Sequence, residues 1–148
     1  MNQDLKKLYP EILKAHNHSP YHFEKREGAD TVIKAYNPIC GDRFEVYINH
    51  NEENNMNQLH FYGLGCSVSK ASTSVLTKVL EGKTTDEALI LCDNFLSYIN
   101  KKSVADTLDL PEEFLAFSGV HDFPERLDCA ALAWREMKKY LESKKSGS

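Results

Sequence analysis

The hydrophobic period of this chain switches near Cys66 from that of strands to that of helices, and that change restricts what the chain can fold into. Between Thr31 and Leu64 the pattern is that of strands. Thr31-Val32-Ile33-Lys34-Ala35-Tyr36 is β-branched and aromatic, and Arg43-Phe44-Glu45-Val46-Tyr47-Ile48 sets Phe44, Val46 and Ile48 on one face. Gln58-Leu59-His60-Phe61-Tyr62-Gly63-Leu64 is a third run, alternating less cleanly, behind the polar connection His50 to Asn57. Short connections between consecutive strands predict an antiparallel meander. After Cys66, residues Val68, Ala71, Val75, Leu76, Val79 and Leu80 recur at spacings of three and four, and Gly82 supplies a stop. Thr84-Thr85-Asp86-Glu87 reads as a capping box opening a helix with Ala88, Leu89, Cys92, Phe95, Leu96 and Ile99 as its apolar positions. Pro124 stands near the start of a last helix whose buried stripe is Leu127, Ala130, Ala131, Trp134, Met137 and Leu141. Strands followed by helices predict an α+β domain: a small three-stranded antiparallel sheet with helices packed on one face.

The remaining segments are less regular. Leu5, Leu8, Ile12 and Leu13 share a face between Leu5 and Lys14, interrupted by Pro10, which predicts a short N-terminal helix or two helical turns. Ala15 to Phe23 has no period and reads as loop, although His16, His18 and His22 fall within seven residues there. No cysteine or carboxylate is spaced to complete a local metal site with these histidines. Lys101 to Val120, with Leu108, Leu110, Phe114, Leu115 and Phe117 around Pro111, reads as a loop plus a short helix.

At 148 residues the chain is expected to form one domain over 1–145, with a disordered tail over 146–148. A formal net charge of −4 argues against nucleic acid as a main partner, since phosphate neutralisation needs a concentrated basic surface. No apolar run approaches the ~20 residues that span a bilayer, and Met1 to Lys7 has no apolar segment of a signal peptide. A cytoplasmic location is therefore expected. There, cysteines serve packing, metal binding or thiolate chemistry rather than structural disulfides.

Four thiols can be sorted by setting. Cys92 occupies an apolar helical position between Leu89 and Phe95 and reads as core. Cys66 follows Gly63-Leu64-Gly65 directly before a helix, where the first-turn amides favour an anion; the same position would suit a small N-cap residue. Cys40-Gly41-Asp42 can turn both side chains toward one point, a thiolate and a carboxylate suited to a divalent cation, although Pro38 to Asp42 would serve equally as a plain hairpin connection. Cys129 lies one helical turn after Arg126 on nearly the same face, where the cation would stabilise a thiolate; alone, it could be a small core residue. Asp128 is not on that face. The residues by themselves leave open a metal or thiolate site in an α+β domain.

Three blocks narrow the choice. Asn37-Pro38-x-Cys40-Gly41-Asp42, Gly63-x-Gly65-Cys66-x-x-Ser69-x-Ala71-Ser72 and Phe123-Pro124-x-Arg126-x-x-Cys129-Ala130-x-Leu132 resemble, in order, the signature blocks of the IscU/NifU-N-like iron–sulfur assembly family. Leu8-Tyr9-x-x-Ile12-Leu13 with a following histidine resembles that family's N-terminal helix. Scaffolds of the IscU type carry histidine immediately before the third cysteine and a Leu-Pro-Pro-Val-Lys chaperone-docking motif; this chain has Asp128 and no such motif. With its longer stretch between Cys66 and Cys129, it is more similar to the SufU branch.

What the resemblance implies is specific. Cys40, Asp42, Cys66 and Cys129 would hold zinc, and Cys40 would accept sulfur, with Arg126 orienting or stabilising the anionic site. The implied activity is a zinc-dependent sulfurtransferase taking persulfide sulfur from a cysteine desulfurase of the SufS type and supplying downstream iron–sulfur assembly proteins, with neither nucleic acid nor membrane as partner. The alternative within the family is a scaffold on which a transient [2Fe–2S] cluster is built.

Overall fold

A computed structural model describes residues 3–39, 41–53, 55–100, 110–117, 120 and 123–147. The elements run α1 (Gln3–His18), β1 (Thr31–Asn37), β2 (Asp42–His50), β3 (Met56–Leu64), α2 (Ser67–Leu80), α3 (Thr85–Ile99), a 3-10 helix (Glu112–Phe117) and α4 (Pro124–Gly147). The strands form the expected antiparallel meander in the order β1-β2-β3, with Asn37 opposite Asp42 and Arg43 opposite Leu64 at one end. The period-two pattern does what it predicts: Ile33, Ala35, Phe44, Val46, Ile48, Leu59 and Phe61 are buried on the inner face. On that face α4 lies against β1 and α2 against β3, with α3 behind α4. Trp134 of α4 anchors the helical layer, stacked on Phe95 of α3 at 4.3 Å and edge-on to Phe114 of the 3-10 helix at 5.3 Å.

The caps follow the sequence signals. Glu87 N–H donates to Thr84 Oγ1 at 3.1 Å and Thr84 N–H to Glu87 Oε1 at 3.0 Å, closing the capping box. Cys92 is fully buried among the core residues. Among the described residues, no helix is long and apolar enough to cross a membrane. Leu108 lies outside the described residues, as do the packing of Leu5 and Leu8 and that of the tail over 146–148, although α4 runs to Gly147.

The N-terminal segment departs from expectation. α1 continues through Pro10 to His18, so His16 and His18 are helical rather than in a loop. Tertiary contacts extend the helix. His16 Nδ1 meets Ser74 Oγ at 2.7 Å inside the α1–α2 contact, and Asn17 Nδ2 donates to the Ser67 carbonyl at 2.8 Å. The chain beyond it then lies along β3. Phe61 N–H donates to the His22 carbonyl at 3.1 Å and Glu24 N–H to the Phe61 carbonyl at 2.9 Å. His22 stacks on His60 at 4.8 Å and reaches the Leu59 carbonyl and Glu81 from Nδ1 at 2.9 and 3.0 Å. His16 and His22 are thus engaged in separate structural contacts.

Candidate metal centre

Asp42 opens β2, Cys66 precedes α2 and Cys129 lies in the second turn of α4, so three separate elements meet at one end of the sheet. Their ligand atoms lie within 4.8 Å of one another, and among the described residues this is the one cluster of three or more metal-ligating side chains. Asp42 is fully buried, Cys129 is 5% exposed and Cys66 opens to solvent. The mouth of the cluster is therefore on the Cys66 side.

Backbone geometry explains how these groups come together. Asn37 and Asp42 are paired across the β1–β2 hairpin, whose turn is closed by Gly41 N–H on the Asn37 carbonyl at 2.7 Å. Gly41 takes φ +76°, the left-handed conformation that glycine adopts without penalty. Cys66 caps α2: Ser69 N–H donates to its sulfur at 3.4 Å. The capping and ligand readings of Cys66 are compatible, because the cap orients the sulfur that faces Asp42. Cys66 N–H itself donates to Asp42 Oδ1 at 2.9 Å, tying the β3–α2 junction to the start of β2.

Two features suit a cation. Among the described residues Asp42 Oδ2 is buried without a hydrogen-bond partner, a costly arrangement that a ligated cation would satisfy. Burial pushes the Cys129 thiol well above the usual thiol range, and the Asp42 carboxylate and Cys66 thiol beside it push the same way. Without a metal, that crowding favours a neutral thiol. A divalent ion inverts the local balance, favouring thiolate and releasing the proton. One carboxylate oxygen and two sulfurs form a donor set zinc accepts, with room in its tetrahedral preference for a fourth ligand. The fit is good.

Of the remaining expected site residues, Cys40 lies outside the described residues; its neighbours Ile39 and Gly41 are both exposed. Arg126 is exposed one turn before Cys129, its guanidinium 5.3 Å from the centre of the Phe123 ring. Asp128 turns away from the cluster to Arg135 at 3.2 Å, as its position on the helix requires.

Sequence reasoning missed the supports. Ser72 Oγ donates to the Ala130 carbonyl at 2.5 Å and accepts from Trp134 Nε1 at 3.0 Å, joining α2 to α4 one residue from Cys129. Gly65 is close-packed: a Cβ there would lie 2.6 Å from Phe44 Cε2, 2.6 Å from Ser69 Oγ and 2.9 Å from Asp42 Oδ1. Ser72 and Gly65 stand in the block around Cys66, but nothing in sequence spacing says which partner each meets.

Comparison with known proteins agrees with this architecture. The profile of the NifU-like N terminal domain matches residues 8–145. The chain is 32% identical over 138 residues to the iron-sulfur cluster assembly scaffold protein IscU of Streptococcus pyogenes serotype M1, covering 93% of this chain and 85% of that one. It is 30% identical over 150 residues to the zinc-dependent sulfurtransferase SufU of Bacillus subtilis (strain 168), covering 99% and 98%. Among solved structures, a putative iron-sulfur cluster assembly scaffold protein for the SUF system from Fervidobacterium islandicum AW-1 superposes with a TM-score of 0.76 at 27% identity, over 88% of this chain and 94% of that one. With the profile match running through all three cysteine blocks, these sequence relatives and the same fold in the solved SUF-system structure, the chain belongs to the NifU-like N-terminal domain family, within its IscU/SufU-like group.

Proposed function

We propose that this protein is a zinc-dependent sulfur acceptor, taking persulfide sulfur from a cysteine desulfurase of the SufS type and passing it toward iron–sulfur cluster assembly. The observation that carries the reading is the convergence of Asp42, Cys66 and Cys129 within 4.8 Å around a buried carboxylate oxygen that has no hydrogen-bond partner among the described residues. Cys40, two residues before Asp42, completes the ligand set. Zinc held there keeps its thiolate ligands deprotonated and protected from oxidation.

Cys40 is the acceptor. Its thiolate attacks the terminal sulfur of the desulfurase's cysteine persulfide. The new S–S bond forms on Cys40 as the donor's S–S bond breaks, and the donor cysteine leaves as a thiolate, so no external oxidant or reductant enters. Arg126, exposed on the first turn of α4, supplies a cation that steers and orients the incoming persulfide anion. Asp42 and Cys129, both buried, form the base of the site.

The second reading is a scaffold on which a [2Fe–2S] cluster is assembled at the same residues, favoured by the name of the Streptococcus pyogenes relative. Against it, the position before Cys129 carries Asp128, whose carboxylate is engaged by Arg135.

The test is the metal content of the purified protein together with desulfurase turnover in its presence. About one zinc per chain, with turnover raised by the zinc-loaded protein and not by a Cys40→Ala variant, is the expected result. A stable iron–sulfide chromophore after anaerobic reconstitution, without any effect on turnover, would replace this reading by the scaffold. A fully active Cys40→Ala variant would refute the relay.

A further inference from the structure

Among the described residues no helix closes the outer face of the sheet at the end nearest the metal centre, where it forms a groove of roughly 590 Å³. Lys25, Lys34, Tyr36, Arg43, Tyr62 and Leu64 give it its character. The cross-strand pairs Tyr36–Arg43–Leu64 and Lys34–Glu45–Tyr62 are two successive rows of this face, and Phe23 extends the second by stacking on Tyr62 at 4.8 Å. The apolar surface is unusually open: Leu64 is 79% exposed, Tyr36 53% and Tyr62 45%.

The charge of the groove opposes that of the chain. The protein carries a formal net charge of −4, yet three cations line this groove against a single carboxylate, Glu45. Glu45 is itself occupied, accepting from Tyr47 Oη at 2.7 Å. Among the described residues none of Lys25, Lys34 or Arg43 has a carboxylate at salt-bridge distance; the Arg43 guanidinium lies instead 5.1 Å from the Tyr36 ring centre. At its other end the groove reaches Gly41, beside both Cys40 and Asp42 in the chain.

We propose that this groove docks an extended acidic segment of a partner protein, anchored by aromatic or aliphatic side chains between Tyr36, Tyr62 and Leu64. Carboxylates meet Lys25, Lys34 and Arg43, while apolar side chains cover the exposed rings and leucine, the division of labour expected of a peptide-binding surface. Because the groove ends at Gly41, the segment belongs to the partner that exchanges sulfur at the metal centre; this identity of the partner rests on the function proposed above.

The test has two arms. In the first, amide and side-chain resonances of the zinc-loaded protein are followed while a short synthetic peptide alternating Asp or Glu with Phe and Leu is added. The control peptide has Lys in place of the acids. The acidic peptide should perturb Lys34, Tyr36, Tyr62 and Leu64. Its binding should weaken steeply as salt shortens the screening length from about 30 Å to about 3 Å. A Lys25→Glu/Lys34→Gln variant, chosen to avoid setting a second acid opposite Glu45, should lose at least about tenfold in affinity, and Leu64→Ser should lose affinity without changing the salt dependence. Equal binding of the lysine peptide, unchanged affinity in both variants, or perturbation of these residues by self-association alone would overturn the proposal. In the second arm, the double variant should need about tenfold more protein for half-maximal stimulation of the desulfurase, with zinc content and maximal turnover unchanged. Peptide binding that maps to the groove, with no stimulation by the wild-type protein, would leave the docking surface standing and remove the sulfur-transfer assignment.

Discussion

Replacing Gly65 by alanine tests whether close packing around Asp42 is what assembles the metal centre. The added Cβ would stand 2.6 Å from Phe44 Cε2, 2.6 Å from Ser69 Oγ and 2.9 Å from Asp42 Oδ1. Non-bonded carbon contacts settle at roughly 3.5–4.0 Å, so about 1 Å must be recovered on three sides. The Ser69 hydroxyl can rotate away. Phe44 and Asp42 are both buried, so moving either disturbs the neighbours packed on it. Moving Phe44 is an overpacking problem costing about 1–3 kcal/mol. Turning Asp42, or lifting the backbone at position 65, breaks the 2.9 Å bond from Cys66 N–H to Asp42 Oδ1, with a net cost of about 1.5–3 kcal/mol for a bond to a charged group. Either route separates two candidate ligands. The chelator-treated variant should therefore unfold at lower urea, by about 1–3 kcal/mol, and its zinc affinity by competition with a chromophoric chelator should fall at least about tenfold. Gly28→Ala is the control: its φ of +77° brings backbone strain of about 1 kcal/mol, but nothing lies within 4 Å of the new Cβ, so zinc affinity should not change. If Gly65→Ala loses stability yet binds zinc within about threefold of wild type, this packing does not set the ligand geometry and the reasoning fails.

Other expectations follow from the same contacts. Asp42→Asn keeps an acceptor for Cys66 N–H but removes the anionic ligand; zinc affinity should drop at least about 100-fold while the chelated protein is no less stable, and preserved affinity by calorimetry would exclude Asp42 as a ligand. Ser72→Ala strands the buried Trp134 Nε1–H and should cost about 1–3 kcal/mol in urea denaturation, with a change in near-ultraviolet tryptophan circular dichroism. Burial pushes the Cys92 thiol up and shuts it from solvent, so iodoacetamide followed by peptide mapping should label Cys66 long before Cys92 in the chelated native protein; equal rates would contradict the packing of α3. The hydrogen bond to Glu81, aided by burial, raises Tyr21 to about 12 from its ordinary value of 10.0. Its contribution to stability is fully present below pH 10.0 and is lost as pH rises toward about 12, so Tyr21→Phe should flatten the alkaline loss of stability and remove one raised tyrosinate transition, leaving that of buried Tyr47 at still higher pH.

The sequence by itself determined the order and type of the elements, because backbone periodicity is a local property. Alternation in Arg43 to Ile48, three-and-four spacing from Val68 to Leu80 and the Thr84–Glu87 box each state a conformation within a few residues, and each is found. It also named Asp42, Cys66 and Cys129, through motifs whose residue types carry the chemistry. Only tertiary structure decided that these three meet, since 24 residues separate Asp42 from Cys66 and α2 and α3 intervene before Cys129. The N-terminal histidines were misread for a related reason. Ala15 to Phe23 has no internal period, and its conformation comes from Ser67, Ser74, Leu59 and Phe61, partners remote in the chain. The groove on the outer face likewise exists only after β1, β2 and β3 pair, when Lys34, Arg43 and Leu64, unremarkable in sequence, become neighbours on one uncovered surface. Local propensity specifies what each segment becomes; long-range packing specifies which side chains share a site.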